Sequence, residues 1–297
     1  MKSLRLSAGL LIFINIITTA VAGEAKFGFE RLPPANLQQP LPAISIIIDD
    51  LGQQLIVGER AVALPGEITY AFLPFTSHAT HLAELAHQQN KEVMIHMPMQ
   101  AIGENNLGKG GLTLDMSQQH FMTTLKENLN AIPHISGINN HMGSLLTQYP
   151  GHMGWLMAAL SERHDLFFVD SRTTEHTVAY QMASEYKIPS INRNVFLDNI
   201  RSEAAISRQF DRLIKLAKRN GTAVAIGHPY AETIAFLEKE LPTLEQQGIT
   251  LIKTSALIKR KKLIEVTIPQ SLFAAQEINS ATDQPLTDGS PPTSIIQ

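Results

Sequence analysis

The stretch Ala43-Ile44-Ser45-Ile46-Ile47-Ile48-Asp49-Asp50 decides how the rest of the chain is interpreted. Such a run of apolar, mostly β-branched residues is typical of a strand buried on both faces of a parallel sheet. Two acids at its end are costly to bury without a cation or a hydrogen-bond network. Because neighbouring residues of a strand point to opposite sides, we expect Asp49 and Asp50 to have different roles. The alternative is a helix-capping turn, which would need fewer acids.

Similar apolar runs recur along the chain and alternate with segments of helical spacing. The predicted strands are 43–48, 68–73, 92–96, 138–141, 166–170, 190–193, 222–227 and 249–252. The predicted helices are 77–90, 117–130, 155–163, 202–219 and 231–246, with Ser117 as a cap of the second and Gly221 as the stop of the fourth. The alternation predicts a parallel α/β fold, either a closed or nearly closed barrel or a doubly wound sheet.

Polar residues stand at the carboxyl ends of nearly all of these strands, where such folds carry their active sites. His96 and His141 follow two different strands, and together with Asp50 they suit Zn²⁺ with one position left open for water. His228, which follows the seventh strand, is better suited to acid–base work than to metal binding. Taken alone, each histidine is more simply explained as a hydrogen-bonded core residue.

A second group of strand-end residues is expected to support this site. We expect a salt-bridged set that orients the metal ligands, although ordinary ion pairing at strand ends is the alternative. Some amide and hydroxyl groups could also hold ligand groups by hydrogen bonds. The charged set is Asp170, Arg172, Arg193 and Asp198, and the uncharged set is Asn139, Asn140 and Ser144. The glycines of residues 103–111 lack the order of a phosphate-binding motif, so no nucleotide site is predicted.

The two ends of the chain differ from its middle. Residues 1–22 are typical of a secretory signal peptide, with an uncleaved anchor as the alternative, and residues 23–41 of a linker. Residues 42–262 form the predicted domain, and 263–297 a flexible tail. After signal cleavage, the protein is expected in the periplasm without a membrane span.

Composition excludes several classes of protein. The net charge of −3, with 24 Lys and Arg residues, gives no sign of a nucleic-acid-binding surface. The chain has no cysteine, so thiolate metal sites and cysteine nucleophiles are excluded. A metal here must be held by histidine and carboxylate.

At its strand ends the chain resembles the divergent polysaccharide deacetylases, relatives of the NodB-type carbohydrate esterases. The resemblance covers residues 44–253. The motifs that carry it are Ile48-Asp49-Asp50-Leu51-Gly52, His96-Met97-Pro98-Met99, Gly137-Ile138-Asn139-Asn140-His141-Met142-Gly143-Ser144, Phe168-Val169-Asp170-Ser171 and Ala225-Ile226-Gly227-His228-Pro229.

The resemblance implies a distorted (β/α)7 barrel with parallel strands. It implies Asp49 as the catalytic base, Asp50 and His96 as metal ligands, and His228 as the general acid. The related esterases complete their metal site with H-x-x-x-H, but Gln100 stands at the position of the second histidine. The Arg-x-Pro-Tyr motif of these enzymes is also absent, and His141 is expected to replace the missing ligand from the next strand.

Two functions of different classes follow from this resemblance. The first is metal-dependent N-deacetylation of a cell-envelope polysaccharide such as peptidoglycan, with Zn²⁺ as the expected cofactor. The second is a catalytically degenerate barrel that binds an envelope glycan or a partner protein, which the missing motifs favour. A hydrolase that acts on another amide bond remains open beside the first.

Overall fold

The computed structural model describes residues 40–103 and 106–267, which form nine strands and eight α-helices. The strands are β1 (Ala43–Leu51), β2 (Thr69–Phe72), β3 (Glu92–Met99), β4 (Ile135–Met142), β5 (Phe167–Asp170), β6 (Ser190–Asn192), β7 (Val195–Phe196), β8 (Thr222–Gly227) and β9 (Thr250–Leu251). The helices are α1 (Leu55–Val62), α2 (Ala79–Gln88), α3 (Gln118–Ala131), α4 (Pro150–Ser161), α5 (Ala179–Glu185), α6 (Glu203–Asn220), α7 (Ala231–Glu240) and α8 (Thr254–Thr267).

The sheet is parallel throughout, in the order β6-β5-β4-β3-β2-β1-β8-β7, and β9 pairs with the start of β1. The strands at the two ends of this order, β6 and β7, are joined by only two residues. The amide of Arg193 donates to Asp170 on β5, and the amide of Asn194 donates to Val224 on β8. Since consecutive Cα atoms lie about 3.8 Å apart, β5 and β8 must approach to roughly the width of one strand.

β6 and β7 are therefore the two halves of one interrupted strand that fills the gap between β5 and β8. With this split strand counted once, seven strand positions surround the axis, and β9 lies outside the ring. This confirms the predicted distorted (β/α)7 barrel, and it excludes the doubly wound sheet that the alternation alone left open.

Strand alternation divides the buried side chains into two layers. Ile44, Ile46 and Ile48 pack outward in the core shared with the helices, whereas Ala43 and Ile47 belong to a second cluster with residues of β5, β6 and β8. This second cluster fills the barrel interior. The interior face of β1 continues to Asp49, so the same alternation that fills the barrel delivers an acid to its carboxyl end.

Helix α8 closes the opposite end of the barrel. Leu257 and Ile258 join the interior cluster. At the start of this helix, the hydroxyl of Thr254 lies 2.6 Å from Ser45 Oγ and 2.9 Å from Thr69 Oγ1. The interior is thus sealed at the amino ends of the strands, and the carboxyl ends remain available for chemistry.

Several predicted helix boundaries are confirmed, and some elements were missed. Ser117 caps α3 by accepting from His120 N–H, and Gly221 ends α6 with a φ of 79°. Four elements of the structure, α1, α5, α8 and β7, are absent from those predicted from the sequence. α5 has seven residues and β7 two, which is too few for a clear period, and α1 contains Gly58 and lacks a side-chain cap.

The predicted ends of the domain lie close to the limits of the described residues. The predicted signal peptide (1–22) and nearly all of the linker (23–41) lie outside them. The last helix runs to Thr267, five residues past the predicted domain end, and the remainder of the predicted tail lies outside the described residues. Within residues 40–103 and 106–267, no helix has the length and apolar character needed to cross a bilayer.

Candidate metal centre

Asp50, His96 and His141 converge at the carboxyl end of the barrel. Asp50 Oδ1 lies 3.2 Å from His96 Nε2 and 2.9 Å from His141 Nδ1. One ligand atom from each of the three residues falls within 4.8 Å of the other two. A tetrahedral zinc ion with bonds of about 2.0–2.1 Å separates its ligand atoms by about 3.3 Å. The spacing therefore fits one ion with these three ligands and an open fourth position.

The hydrogen bonding of Asp50 gives an independent test of this fit. Its Oδ1 is buried, yet it accepts no hydrogen bond from any residue that the structure describes, although two imidazole nitrogens lie close to it. A buried carboxylate oxygen without a donor is uncommon in native proteins. A shared cation requires nitrogen and oxygen lone pairs that point toward a common position and not toward one another. The donor set of one carboxylate and two imidazoles suits Zn²⁺.

The backbone of Asp50 explains how both acids reach the same cluster. Simple alternation would turn Asp50 away from the interior face that Asp49 occupies. Asp50 instead has a φ of 57°, and the pairing of β1 with β2 shifts register between Ile48 and Leu51. The left-handed residue redirects the Asp50 side chain, so the two acids approach opposite nitrogens of one imidazole. Asp49 Oδ2 lies 3.5 Å from His96 Nδ1.

His141 reaches the site because of the register between β3 and β4. His96 is paired with Asn139, and His141 is paired with Pro98. The His96 and His141 rings meet edge to face, with centroids 4.8 Å apart. Gln100, which occupies the motif position of the missing histidine, uses its Oε1 to accept from Leu114 N–H at 2.8 Å. Gln100 thus holds the loop after β3 in place by this hydrogen bond, and the second imidazole of the candidate centre is that of His141 on β4.

Asn139 links Asp49 to His96. Its Nδ2 donates to both oxygens of Asp49, at 2.7 and 3.0 Å, and its Oδ1 lies 2.8 Å from His96 Nδ1. Because an amide oxygen only accepts, His96 Nδ1 must carry a proton, and in the neutral imidazole the lone pair of Nε2 then faces Asp50. From the sequence, Asn139 was expected only to hold ligand groups by hydrogen bonds, and its place on the interior face of β4 is the feature that could have indicated this more specific position.

His228 lies beside this cluster and is hydrogen-bonded to a separate carboxylate, that of Asp198. Its Nδ1 donates to Asp198 Oδ1 at 2.9 Å, and its Nε2 lies 3.7 Å from Asp50 Oδ2. Asp198 Oδ2 also accepts from His228 N–H at 2.6 Å and from Thr233 Oγ1 at 2.8 Å. The fully buried Asp198 therefore fixes the ring and leaves Nε2 directed at the site.

The electrostatics of the cluster separate the two adjacent acids. Burial raises the pKa of Asp49, and the neighbouring imidazoles and Asn139 offset only part of this. Burial also acts to raise the pKa of Asp50, but the close imidazoles of His141 and His96 outweigh it and hold the pKa well below its usual range. Asp50 is thus the acid whose ionised form is favoured, as a metal ligand requires.

The imidazoles of His96 and His228 bind protons more strongly than a free histidine. Burial acts to lower the pKa of His96, but the charges of Asp49 and Asp50 raise it to about 9. Burial likewise acts to lower the pKa of His228, and the hydrogen bond and charge of Asp198 raise it.

The other predicted supporting residues lie behind the site and do not form the expected ion pairs. The buried Asp170 accepts from the backbone N–H of Arg172 and from Thr177 Oγ1. Burial raises its pKa. Arg193 donates to the carbonyls of Ser171 and Arg172. Within the described residues, Asp170 and Arg193 are thus held by uncharged partners, because strand ends are crowded with backbone groups that need partners.

Asn140 and Ser144 form hydrogen bonds to the backbone of the loops around the site. Asn140 donates to the carbonyl of Met142 at 2.7 Å and accepts from Ser171 N–H at 2.9 Å. Ser144 Oγ accepts from Ile102 N–H. Both residues therefore hold backbone, and neither of these contacts is directed at the ligand cluster.

A cleft of about 630 Å³ opens in front of Asp50 and His141. It runs between the loops that follow β2 and β3 on one side and β7 and β8 on the other. This volume falls in the usual range for ligand sites. Asp50 and His141 line this cleft, and the residues that directly follow His228, Pro229 and Tyr230, line it as well.

Comparisons with known proteins agree with this fold. A sequence model described as the divergent polysaccharide deacetylase family matches residues 46–258. The uncharacterized protein YibQ of Escherichia coli K12 is 38% identical over 228 residues, 77% of this chain and 71% of that protein. An uncharacterized protein of Haemophilus influenzae is 38% identical over 221 residues, 74% of this chain and 78% of that protein.

A solved structure also shares the fold. The uncharacterized protein ATU2773 from Agrobacterium tumefaciens C58 superposes with a TM-score of 0.71 at 23% identity, over 73% of this chain and 89% of that one. The family match covers β1 to α8 and includes every residue of the candidate centre. The chain belongs to the divergent polysaccharide deacetylase family.

Proposed function

We propose that this protein is a metal-dependent hydrolase that removes acetyl groups from N-acetylated sugars of a cell-envelope polysaccharide, peptidoglycan being one candidate. The observation that carries the proposal is the convergence of Asp50, His96 and His141 on one point at the mouth of a cleft, with Asp50 Oδ1 lacking a donor among the described residues. Membership of the family supports the same reaction. A set of three candidate ligands, with His141 in place of the missing motif histidine, also favours the enzyme over the degenerate barrel.

Asp50, His96 and His141 would hold the cation, and Zn²⁺ is the ion that their chemistry favours. When bound, the ion supplies Lewis acidity, which polarises an amide carbonyl and makes water more acidic. Asn139 keeps the Nδ1 proton on His96 and so presents its Nε2 lone pair. Such second-shell hydrogen bonds orient metal ligands.

Two groups of the chain would move the protons of hydrolysis. Asp49 accepts a proton from the attacking water, with Asn139 holding both of its oxygens in place. His228, fixed by Asp198, delivers a proton from Nε2 to the departing nitrogen. Water adds to the acetyl carbon, the C–N bond breaks, and acetate and a free amino sugar result.

The periplasm is the compartment in which this activity would meet its substrate. The predicted signal peptide at residues 1–22 supports this location. A partner protein of the envelope remains part of the alternative in which the barrel only binds.

The proposal is tested by measuring bound metal and acetate release together, on an acetylated glycan, for the purified protein and two variants. We expect about one zinc per chain and acetate release for the native protein. His141→Ala should lose both, because a ligand is removed. His228→Gln should keep the metal and lose most of the turnover, since only the proton donor is removed.

Gln100→Ala is the matched control for His141→Ala, because Gln100 occupies the motif position of the missing histidine but bonds to Leu114. It should retain metal. A native protein that binds no divalent metal, or that binds metal and glycan without releasing acetate, would overturn the proposal; the second result would favour the binding-only alternative.

A further inference from the structure

The cleft in front of the metal centre is flanked by two pairs that each combine a cation and an aromatic ring. Lys109 Nζ lies 4.5 Å from the centre of the Phe75 ring, and the guanidinium carbon of Arg201 lies 3.4 Å from the centre of the Tyr230 ring. All four residues line the cleft. The first pair follows β2 and β3, and the second follows β7 and β8. Since β1 lies between β2 and β8, Asp50 is located between the two pairs.

Neither cation is neutralised by the part of the chain that the structure describes. Arg60, by contrast, forms a two-bond pair with Glu238. Lys109 and Arg201 form no ion pair with any residue in 40–103 or 106–267, and each contacts an aromatic face instead. A cation held on a ring loses side-chain freedom before a ligand arrives, and this lowers the entropic cost of binding an anion.

The geometry of the second pair favours a carboxylate. A guanidinium that lies flat on a ring keeps its N–H edge free, and that edge matches the two oxygens of a carboxylate. Tyr230 also stacks on the His228 ring, with centroids 5.4 Å apart and planes 27° apart. Arg201, Tyr230 and His228 thus form one column, so a charge bound by Arg201 lies near the proposed proton donor.

The backbone around the cleft strengthens the positive potential. The cleft residue Gln54 directly precedes α1 and the cleft residue Ala231 begins α7, and no side chain of the described residues caps the first turn of either helix. Uncapped N–H groups and the helix dipole favour negative charge at such ends. Apart from the metal ligand Asp50, Glu232 supplies the only carboxylate among the described lining residues of the cleft, against two cations.

We propose that the cleft selects an acetylated glycan that carries carboxylate groups, with Arg201 and Lys109 as the anchors for those groups. This inference rests on the proposed function, in that the glycan is the substrate of the metal centre. Lone, separated cations complement single negative charges. A dianionic phosphate is more often met by a cluster of arginines.

Binding of two oligosaccharides of equal length tests this selection. One alternates N-acetylglucosamine with glucuronic acid, and the other is a neutral N-acetylglucosamine oligomer. We expect the zinc-loaded native protein to bind the acidic oligomer about tenfold more tightly at low salt, and the preference to shrink at high salt. The double variant Arg201→Gln, Lys109→Gln should lose the preference and keep the affinity for the neutral oligomer.

The matched control is Lys126→Gln, Lys215→Gln, which removes the same charge from exposed helical positions outside the cleft. Equal binding of the two oligomers, or an equal loss of preference in both double variants, would overturn the inference. Acetate release from the neutral oligomer reports separately on the proposed function. Activity without preference would contradict only the selection, and preference without any acetate release would contradict only the hydrolysis.

Discussion

Asn139 links Asp49 to Asp50 by way of the His96 ring. It donates to both oxygens of Asp49 and accepts from His96, whose other nitrogen faces Asp50. Because an amide has one donating and one accepting end, it can bridge a carboxylate and a protonated imidazole nitrogen only in this orientation. The roles of Asp49 and Asp50 therefore depend on a residue 90 positions away in the chain.

Asp49→Asn separates the proton acceptor from the metal ligands. We expect the variant to retain zinc and to lose about 10²–10⁴-fold in turnover, because an amide cannot take the water proton. Metal content and acetate release are measured on the same sample. Asp165→Asn changes an exposed acid far from the ligand cluster and should alter neither. Loss of zinc from Asp49→Asn would mean that Asp49 acts on His96 and not on the proton.

Asn139→Ser should weaken zinc binding by about 10–100-fold, because His96 loses the acceptor that fixes its protonated nitrogen. A competitive chelator titration gives the affinity. Asn140→Ser is the matched comparison, since the neighbouring amide holds the backbone of Met142 and Ser171. That variant should lower thermal stability and leave zinc affinity nearly unchanged; the opposite pattern would contradict the role given to Asn139.

The end of β1 shows how one element can present two successive residues to one site. After Asp50, with its φ of 57°, the chain turns at Gly52, whose φ is 119°. A Cβ at Gly52 would lie 2.1 Å from Thr76 Oγ1. The turn therefore requires glycine for two reasons, the backbone conformation and the close approach of the loop after β2.

Gly52→Ala should destabilise the protein by about 2 kcal/mol or more, because the left-handed strain and the clash act together. Gly108→Ala isolates the strain, since Gly108 has a φ of 73° and an added Cβ there would meet no atom within 4 Å in the part of the chain that the structure describes. The second variant should cost about 1 kcal/mol. Denaturant unfolding measures both; equal losses would show that the contact with Thr76 relaxes freely.

At the scale of the whole molecule, the barrel closes through a split strand. Asn194 joins it to β8 with two bonds, from its N–H to the carbonyl of Val224 and from Val224 N–H to its Oδ1 at 2.8 Å. Asp198 follows β7 and His228 follows β8, whereas His96 and His141 belong to β3 and β4. The closure thus brings residues from distant parts of the sheet to one rim.

Asn194→Ala should lower the free energy of unfolding by about 1 kcal/mol, because Val224 N–H loses its acceptor. Asn194→Asp keeps an oxygen at that position and should retain most of the stability. Urea unfolding of the two variants provides the comparison. If both variants were as stable as the native protein, the side-chain bond would contribute nothing to closure.

Removal of the metal should lower the thermal stability of the whole domain, because the three proposed ligands come from three different strands. At a zinc concentration of about 100 times Kd, chelation is expected to lower Tm by about 5–10 °C, and added zinc should restore it. His141→Ala, which lacks a ligand, should show no shift on chelation. A chelation-induced shift of equal size in that variant would contradict the assigned ligand set.

The sequence by itself determined the parallel α/β class, the main strands and the family resemblance, because burial periodicity is written into local residue order. It also indicated that Asp49, Asp50, His96, His141 and His228 stand at strand ends. Only the tertiary structure decided which atoms converge. Contacts between residues far apart in the chain, which local patterns do not encode, set four features of the site. These are the strand register, the left-handed turn at Asp50, the hydrogen bond between Gln100 and Leu114, and the hydrogen bonds of Asn194 that close the barrel.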